Sequence, residues 1–198
     1  MTKASSKKIG IFGGTFNPPH IAHLVAAESV RDHLKLDKVL FVPAAIPPHK
    51  VDEKIISAEL RLEMVTLAIK DNPAFEVCDI ELRRGGASYS IDTIIELKRK
   101  FPGDDFFFIM GIDLLNDFYS WKNPEKLLDE CNVVVMDRPG FSGESVDKKL
   151  LRRVEIVNVP SMDISSSEIR RRVRFGKSIK FLVPPAVEDY IRANSIYR

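Results

Sequence analysis

The sequence predicts an α/β fold in which a doubly wound parallel sheet carries helices on both faces. Short apolar segments alternate along the chain with stretches of helical periodicity, which is typical of repeated strand–helix–strand units. With 198 residues, 44% of them hydrophobic and 29% charged, the chain fits one globular domain of ordinary size. No internal repeat or linker divides residues 1–198, and we expect a helical part from about residue 161 to pack on the same domain.

Six short apolar segments are predicted strands. In chain order they cover residues 7–12, 39–42, 75–80, 105–110, 132–136 and 154–159. Polar or glycine-containing turns follow most of them. Because ligands of parallel sheets bind beyond the carboxyl ends of the strands, we expect these turns to meet at one edge.

Periodicity and capping residues predict the helices between the strands. In chain order they cover residues 20 or 21 to 34, 57–70, 90–100, 114–121, 124–130, 168–174 and 184–194. Ser57 and Ser90 are suited to cap the second and third helices, and Pro124 fits a first turn. On the second helix the residues predicted to face inward are Leu60, Met64, Leu67 and Ala68. The alternation predicts a Rossmann-like arrangement.

Composition excludes several classes of protein. The formal net charge of +2 is too balanced to demand a nucleic-acid partner. Cys78 and Cys131 are far apart and form no C-x-x-C, so we expect no disulfide framework and a reducing, cytoplasmic setting. No apolar run approaches the roughly 20 residues that a membrane helix needs, and residues 1–8 are polar without an apolar signal core after them.

The main functional pattern follows the first strand. The paired glycines Gly13 and Gly14 allow a ligand to approach the backbone closely, since no Cβ is in the way. His20 and His23 then share one face at the start of a helix, where free N–H groups and a partial positive charge suit phosphate. A zinc site is less well supported, because no cysteine or carboxylate stands at ligand spacing beside the histidine pair. The pattern therefore predicts a site for phosphate chemistry.

A second pattern precedes the predicted helix at residues 168–174. Residues 164–170 read Ile-Ser-Ser-Ser-Glu-Ile-Arg. Serine hydroxyls and N–H groups at a helix start can hold phosphate oxygens, and Arg170 adds positive charge. Taken alone, the pattern fits an ordinary serine cap on a basic surface helix equally well.

Both patterns resemble motifs of the HxGH nucleotidyltransferases. Residues 13–23, Gly-Gly-Thr-Phe-Asn-Pro-Pro-His-Ile-Ala-His, resemble the motif G-G-T-F-D-P-x-H-x-G-H, with Asn17 in place of Asp and Ala22 in place of Gly. Residues 164–170 resemble the I-S-S-T-x-I-R element of the same enzymes, with Ser167 in place of Thr.

Further segments resemble the bacterial nicotinate-nucleotide adenylyltransferases within that superfamily. Residues 81–93 resemble their E-x-x-R-x-G-x-S-Y-T-x-D-T stretch, departing only at Ser90. Residues 47–50 match their P-P-H-K loop, and residues 138–140 match their R-P-G turn. Gly111-Ile112-Asp113 with Trp121 resembles their G-x-D-…-W segment, with Tyr119 where proline is usual. The resemblance runs from residue 9 to about residue 191.

The resemblance implies a reaction of NAD biosynthesis. The phosphate of nicotinate mononucleotide attacks the α-phosphorus of ATP, giving nicotinate adenine dinucleotide and pyrophosphate without a covalent enzyme intermediate. Mg²⁺ would enter with ATP, bound by the triphosphate and water and by no protein side chain.

The resemblance also implies the roles of individual residues. Catalytic roles fall to His20, His23 and Arg170. The residues implied to bind ATP are Gly13, Gly14, Thr15, Phe16, His23, Gly111, Asp113, Ile164, Ser166, Ser167 and Arg170. The residues implied to bind nicotinate mononucleotide are Asn17, His20, Lys50, Ser88, Tyr89, Ser90, Trp121 and Arg138. In this scheme Trp121 stacks on the pyridine ring, and backbone N–H groups near Tyr89 and Ser90 receive the nicotinate carboxylate.

Several alternatives stay open at this point. Trp121 also fits a core residue, Asp113 a helix cap, and Lys50 a solvated surface lysine. The activity also fits another HxGH adenylyl or cytidylyl transferase, with nicotinamide mononucleotide or phosphopantetheine as the acceptor. A nucleotide-binding regulator without chemistry, docking residues 170–174 on nucleic acid, is a third possibility. A dinucleotide dehydrogenase is disfavoured, since residues 10–13 do not give G-x-G-x-x-G.

We expect ATP and nicotinate mononucleotide as ligands and neither nucleic acid nor a membrane as partner. A homodimer or higher oligomer is left open.

Overall fold

A computed structural model describes residues 6–47, 55–137 and 146–198. Its centre is one sheet in which the six described strands are all parallel, in the order β3-β2-β1-β4-β5-β6. The strands are β1 (Lys8–Gly14), β2 (Lys38–Pro43), β3 (Phe75–Val77), β4 (Asp105–Gly111), β5 (Asn132–Asp137) and β6 (Val154–Asn158). This arrangement confirms the predicted α/β fold and has the strand order typical of dinucleotide-binding sheets.

The helices connect successive strands or pack beside the sheet. They are α1 (Ile21–Leu34), α2 (Ala58–Ile69), α3 (Ile80–Arg84), α4 (Ser90–Lys100), α5 (Pro124–Glu130), α6 (Lys148–Leu151), α7 (Ser166–Arg174) and α8 (Pro185–Ala193). Two short 3₁₀ helices, Ile112–Leu114 and Phe118–Ser120, lie between β4 and α5. Among the described residues, no helix combines the length and the apolar character needed to cross a membrane.

The third strand is shorter than predicted. β3 is an edge strand that pairs with only three residues of β2, and the chain turns into α3 at Ile80. The predicted strand at residues 75–80 is therefore wrong at its end, because the buried side chain of Ile80 belongs to a helix and not to the sheet. Gly85, with φ of 68°, ends that helix in a conformation that glycine adopts without strain.

Other elements also differ from the prediction. In place of the predicted helix over residues 114–121 the chain forms the two short 3₁₀ helices, and α6 was not predicted. Helix α7 begins at Ser166 and not at residue 168, because the side chain of Ser165 already caps it. Ser90 is the first residue of α4, and Tyr89 takes the capping position.

Apolar side chains cover both faces of the sheet, alternating along each strand as the pleat requires. Phe12, Phe41 and Ile109 belong to one core cluster, which α1, α2, α7 and α8 complete. Ile11, Leu40 and Phe108 belong to the other, beneath α3, α4, α5 and α6. The two layers make the sheet a rigid base for the loops at its carboxyl edge.

Helix α2 buries two of the four residues predicted to face inward, Met64 and Ala68. Leu60 and Leu67 are only partly buried, and the fully buried positions include Arg61 and Val65. Arg61 can be buried because its guanidinium donates hydrogen bonds to three backbone carbonyls beneath the loops of the sheet edge. A charged side chain therefore occupies an inward position of α2 that was not predicted.

Strands β1 and β4 are neighbours at the centre of the sheet, where the strand order reverses. The connections after β1 and after β4 leave towards opposite faces at such a switch point, and a crevice opens between them. Gly14 ends β1 and Gly111 ends β4 at this place. The fold therefore locates the candidate site beyond these two glycines.

Candidate active site

The turn after β1 is built around the ring of Phe16. A Cβ added to Gly14 would lie 2.9 Å from that ring, so the close contact requires glycine at this position. Phe16 has a φ of 49°, is 2% exposed and packs edge-on against Phe12, with ring centroids 5.8 Å apart. Phe16 thus lies beneath the turn and shapes it, while the backbone of Gly13 and Gly14 borders the crevice.

His20 and His23 form a stacked pair at the start of α1. Their ring centroids are 3.6 Å apart with an interplanar angle of 24°. The backbone N–H of His20 donates to Nδ1 of His23 across 3.1 Å. A ring nitrogen that accepts a hydrogen bond carries no proton, so a neutral His23 has its hydrogen on Nε2. The helix start therefore fixes His23 as a hydrogen-bond donor through Nε2.

Helix α7 docks on the same turn. Ser166 Oγ donates to the carbonyl oxygen of Pro18 across 2.7 Å, and Arg170 Nη1 donates to that of Asn17 across 2.9 Å. Arg170 Nη2 also lies 3.2 Å from Ser167 Oγ. The two predicted phosphate motifs, more than 140 residues apart in sequence, thus meet through direct hydrogen bonds.

The remaining charges of α7 are directed elsewhere. Ser165 caps the helix by accepting from the N–H of Glu168. The Glu168 carboxylate pairs with Arg171 at 2.6 Å and with Arg172 at 3.0 Å, and the hydrogen bond from Arg171 lowers its pKa. Arg171 and Arg172 therefore satisfy an exposed carboxylate, whereas Arg170 is held against the turn after β1.

A cleft of about 180 Å³ opens at the switch point. Its walls come from the turn after β1, the loop after β2, the end of β4 and the segment from α3 to α4. The predicted site residues that line it are Gly13, Gly14, Thr15, Ser88, Ser90, Gly111 and Trp121. The structure therefore brings predicted ATP-side and acceptor-side residues to one cleft, beside the turn that carries both histidines.

Trp121 lies between the core and a smaller cavity. Its ring packs on Phe118 at 5.5 Å and on Phe108 at 6.1 Å between centroids. It also lines a cavity of about 130 Å³ together with Ser88, Tyr89 and Ser90. The core interpretation and the ring-stacking interpretation are thus compatible, because the indole both packs on the core and lines the cavity.

The acceptor side is braced from two directions. Ser88 Oγ accepts from the backbone N–H of Ala45 at 2.9 Å, which ties this wall to the loop after β2. Lys122 Nζ lies 4.6 Å from the centroid of the Tyr89 ring and 2.8 Å from an Asp92 carboxylate oxygen. The residues around the start of α4 are therefore held by the loop after β2 through Ser88 and by Lys122 through Tyr89 and Asp92.

A network of polar side chains lies behind the start of α4, between α3 and α4. Thr93 Oγ1 donates to Glu81 Oε1 at 2.6 Å and accepts from Arg84 Nη2 at 2.9 Å. Arg84 also pairs with Glu96 at 3.0 Å, and its distance to the Glu81 carboxylate is 4.0 Å. Glu81 and Thr93 both line the cleft. The stretch at residues 81–93 that resembles the family motif therefore shapes the pocket through this network.

Asp113 lies just beyond β4 on an exposed 3₁₀ turn. A Cβ on Gly111 would collide with the Asp113 carboxylate, so glycine permits this side chain to fold back over the strand end. Ile164, another residue predicted to bind ATP, is partly buried against the core. Two predicted acceptor-side cations, Lys50 and Arg138, lie outside the described residues.

Two polar residues beneath the turn were not predicted. Arg61 is 1% exposed and donates to the carbonyls of Thr15, Ala45 and Ile56. Burial lowers its pKa. The sequence held a signal for it, because residue 61 shares a helical face with Met64, Val65 and Ala68. No sequence signal pointed to Tyr197, whose hydroxyl donates to Asn17 Oδ1 at 2.7 Å.

The described residues contain no group of three or more histidine, cysteine or acidic side chains arranged to hold a metal ion. Larger grooves of about 590 Å³ and 700 Å³ lie between α7 and α8 and between α1 and α2. Neither is lined by the glycine turn or by the serine motif. Chemistry therefore favours the smaller cleft as the active site.

Comparison with known proteins gives an independent result. Residues 11–172 match the family model described as cytidylyltransferase-like. The chain is 48% identical to a probable nicotinate-nucleotide adenylyltransferase of Geobacter metallireducens, covering 96% of this chain and 98% of that one. It is 42% identical to the protein of that name in Salinibacter ruber, covering 96% and 97%. A Plasmodium falciparum nicotinic acid mononucleotide adenylyltransferase solved with NaAD is 25% identical and superposes with a TM-score of 0.79 over 96% of this chain and 97% of that one.

Proposed function

The chain belongs to the nicotinate-nucleotide adenylyltransferase family of cytidylyltransferase-like proteins, and we propose how its residues serve that activity. It transfers the adenylyl group of ATP to nicotinate mononucleotide in NAD biosynthesis. The observation that carries the assignment of roles is the docking of α7 on the turn after β1, through Ser166 with Pro18 and Arg170 with Asn17. In this proposal, the docking combines the turn after β1 and the start of α7 into one phosphate site.

ATP binds, in this proposal, between the glycine turn and the start of α7. The N–H groups at a helix start favour anionic oxygens, and α7 presents them beside Ser166 and Ser167. Arg170 adds a charge that its bond to the Asn17 carbonyl keeps in place. The Nε2–H of His23 is directed to the triphosphate, where charge builds up on the bridging oxygen during transfer. Asp113 holds the adenosine ribose beyond β4.

Nicotinate mononucleotide binds on the other side of the cleft. Trp121 offers an aromatic face beside the N-terminal end of α4, where backbone N–H groups of Tyr89 and Ser90 suit a carboxylate. His20, the histidine assigned to the acceptor, stacks on His23, the histidine assigned to ATP. Asn17, Lys50, Ser88 and Arg138 complete the acceptor set of the proposal.

The chemistry needs positioning more than deprotonation. The attacking phosphate is already an anion at neutral pH, so the main obstacle is repulsion between two polyanions. Cations and fixed N–H donors lower that repulsion and stabilise the charge that moves towards pyrophosphate during in-line displacement. Mg²⁺ enters as part of the ATP substrate, held by phosphate oxygens and water.

We further propose that the reaction takes place in the cytoplasm. Cys78 and Cys131 are both unpaired thiols in the structure, as a reducing compartment would keep them. ATP and nicotinate mononucleotide are the ligands of the proposal.

The test is ATP-dependent release of pyrophosphate with each of the two pyridine mononucleotides as acceptor. We expect release with the nicotinate form at a clearly higher kcat/KM than with the nicotinamide form. A preference for nicotinamide mononucleotide would overturn the acceptor assignment. A protein inactivated at His23 serves as the control for contaminating activity.

A further inference from the structure

Tyr197 is a partly buried tyrosine that the reaction scheme above leaves without a role. Its hydroxyl donates to Asn17 Oδ1 at 2.7 Å, in the middle of the turn that carries the histidines. The backbone carbonyl of the same Asn17 accepts from Arg170 Nη1 at 2.9 Å. Asn17 therefore contacts Tyr197 through its side chain and Arg170, the proposed ligand of the ATP phosphates, through its backbone carbonyl.

The segment after α8 is fixed so that Tyr197 reaches this position. Ile196 is buried in the core, and its N–H donates to the Ile191 carbonyl at 3.0 Å. Ser195 and Tyr197 have φ values of 51° and 67°, a left-handed conformation that costs energy for residues other than glycine. The packing of Ile196 and the bond to Asn17 offset that cost.

The environment keeps the Tyr197 hydroxyl protonated. Burial raises its pKa, and the nearby charges of Arg170 and Arg61 oppose this effect only in part. Tyr197 consequently stays a neutral donor at physiological pH. Asn17 is 3% exposed, so the loss of this bond would leave its Oδ1 away from solvent; its Nδ2 already has no hydrogen-bond partner within residues 6–47, 55–137 and 146–198.

We propose that Tyr197 is a positioning residue of the active site, which holds Asn17 so that its carbonyl orients Arg170 towards the phosphates of ATP. The inference rests on the assignment of Arg170 to ATP in the proposed function. Arg61 supports the same turn from beneath through the carbonyl of Thr15 at 2.9 Å. The turn is thus held at Thr15 by the buried side chain of Arg61 and at Asn17 by the partly buried side chain of Tyr197.

Tyr197→Phe tests the proposal, since it removes a single oxygen and preserves the ring. We expect kcat/KM for ATP to fall about tenfold, the size of effect seen when one partner of a buried hydrogen bond is left unpaired. Because Tyr197 bonds the side chain of Asn17, which belongs to the proposed acceptor set, the KM for nicotinate mononucleotide should rise as well. Tyr190→Phe is the matched control, from a partly buried tyrosine on α8 that packs on the same core; its kinetics should match wild type.

A double variant separates positioning from general support of the fold. In an Asn17→Ala background the bond is already lost, so adding Tyr197→Phe should change kcat/KM for ATP by less than about twofold. Equal effects of Tyr197→Phe in both backgrounds would overturn the proposal. A Tyr197→Phe protein with a lower thermal midpoint but wild-type kinetics would also overturn it, as would one that fails to fold.

Arg170→Gln shows which assignment is at fault if the expectation fails. If this variant leaves the KM for ATP unchanged, the role of Arg170 is wrong and the inference falls with it. If Arg170→Gln raises the KM for ATP while Tyr197→Phe does not, the proposed function stands and only the role of Tyr197 is overturned.

Discussion

Ser166 donates a hydrogen bond of 2.7 Å to the carbonyl oxygen of Pro18, a residue 148 positions earlier in the chain. This bond lies where the start of α7 meets the turn after β1. Each segment alone offers only part of an anion site: a glycine turn in one case, a capped helix start in the other. Their contact gives two sets of N–H groups and hydroxyls a fixed separation, which is what a triphosphate needs.

Removing the Ser166 hydroxyl should therefore weaken ATP binding more than it weakens the fold. We expect Ser166→Ala to raise the KM for ATP about five- to tenfold, as expected for the loss of one hydrogen bond that orders a binding site. Ser165→Ala is the matched comparison, because Ser165 only caps α7 and its loss should cost about 1 kcal/mol of stability. Steady-state kinetics with thermal melts distinguish them, and similar rises in KM for both would contradict this account.

His23→Ala should lower turnover strongly in a folded protein. The variant loses the Nε2–H donor, and removing one donor that stabilises developing charge typically costs about 10²–10³ in kcat. It also loses the acceptor for the His20 N–H, which His23→Gln can restore, since glutamine at this helix position reaches back to the cap. We expect His23→Gln to recover the thermal midpoint but not kcat. Near-normal turnover in either variant would remove His23 from the mechanism.

Trp121→Ala should raise the KM for nicotinate mononucleotide about three- to tenfold, the value of one aromatic stacking contact, with little change in kcat. Because the indole also packs on Phe118 and Phe108, the alanine variant should be less stable as well. Trp121→Phe should recover most of that stability and part of the affinity. An unchanged KM in a folded Trp121→Ala protein would assign the indole to the core alone.

The two cysteines provide a test of the fold that does not depend on activity. Burial raises the pKa of Cys131 to about 12 and also raises that of Cys78. At pH 8 only about one Cys131 in 10,000 is then a thiolate, so alkylation of the native protein should be slow, and fast in denaturant. The folded state binds these protons more tightly, so the free energy of unfolding should fall as pH rises above about 8.5. Rapid alkylation of native Cys131 would contradict its placement.

The parts of the site that the sequence predicted are those that lie close together in the chain. The glycine turn and the His20–His23 pair form one local pattern, and the serine cap of α7 forms another, so their chemistry was visible without the fold. What joins them, Ser166 with Pro18 and Arg170 with Asn17, depends on how α7 packs and has no local pattern.

The failures have similar causes. Residues 75–80 are apolar enough for a strand, but pairing ends at Val77 because β3 lies at the edge of the sheet. Arg61 was passed over because a charged residue is rarely buried, although its helical spacing placed it inward. Tyr197 reaches Asn17 only through the left-handed turn after α8, which no residue in that segment predicts.

Thr93→Val should weaken recognition of the acceptor without touching a proposed substrate contact. The change is nearly isosteric, but it leaves the buried Glu81 carboxylate without the hydroxyl that donates to it at 2.6 Å and deprives Arg84 of an acceptor at 2.9 Å. The Glu81 carboxylate in the cleft, then left with Arg84 at 4.0 Å, should repel the nicotinate carboxylate more strongly, raising the KM for nicotinate mononucleotide about tenfold. The KM for nicotinamide mononucleotide should rise less, so the ratio of kcat/KM between the two acceptors should fall. Thr93→Ser, which keeps the hydroxyl, should retain the wild-type ratio; a Thr93→Val enzyme with unchanged preference would show that the network only supports the fold.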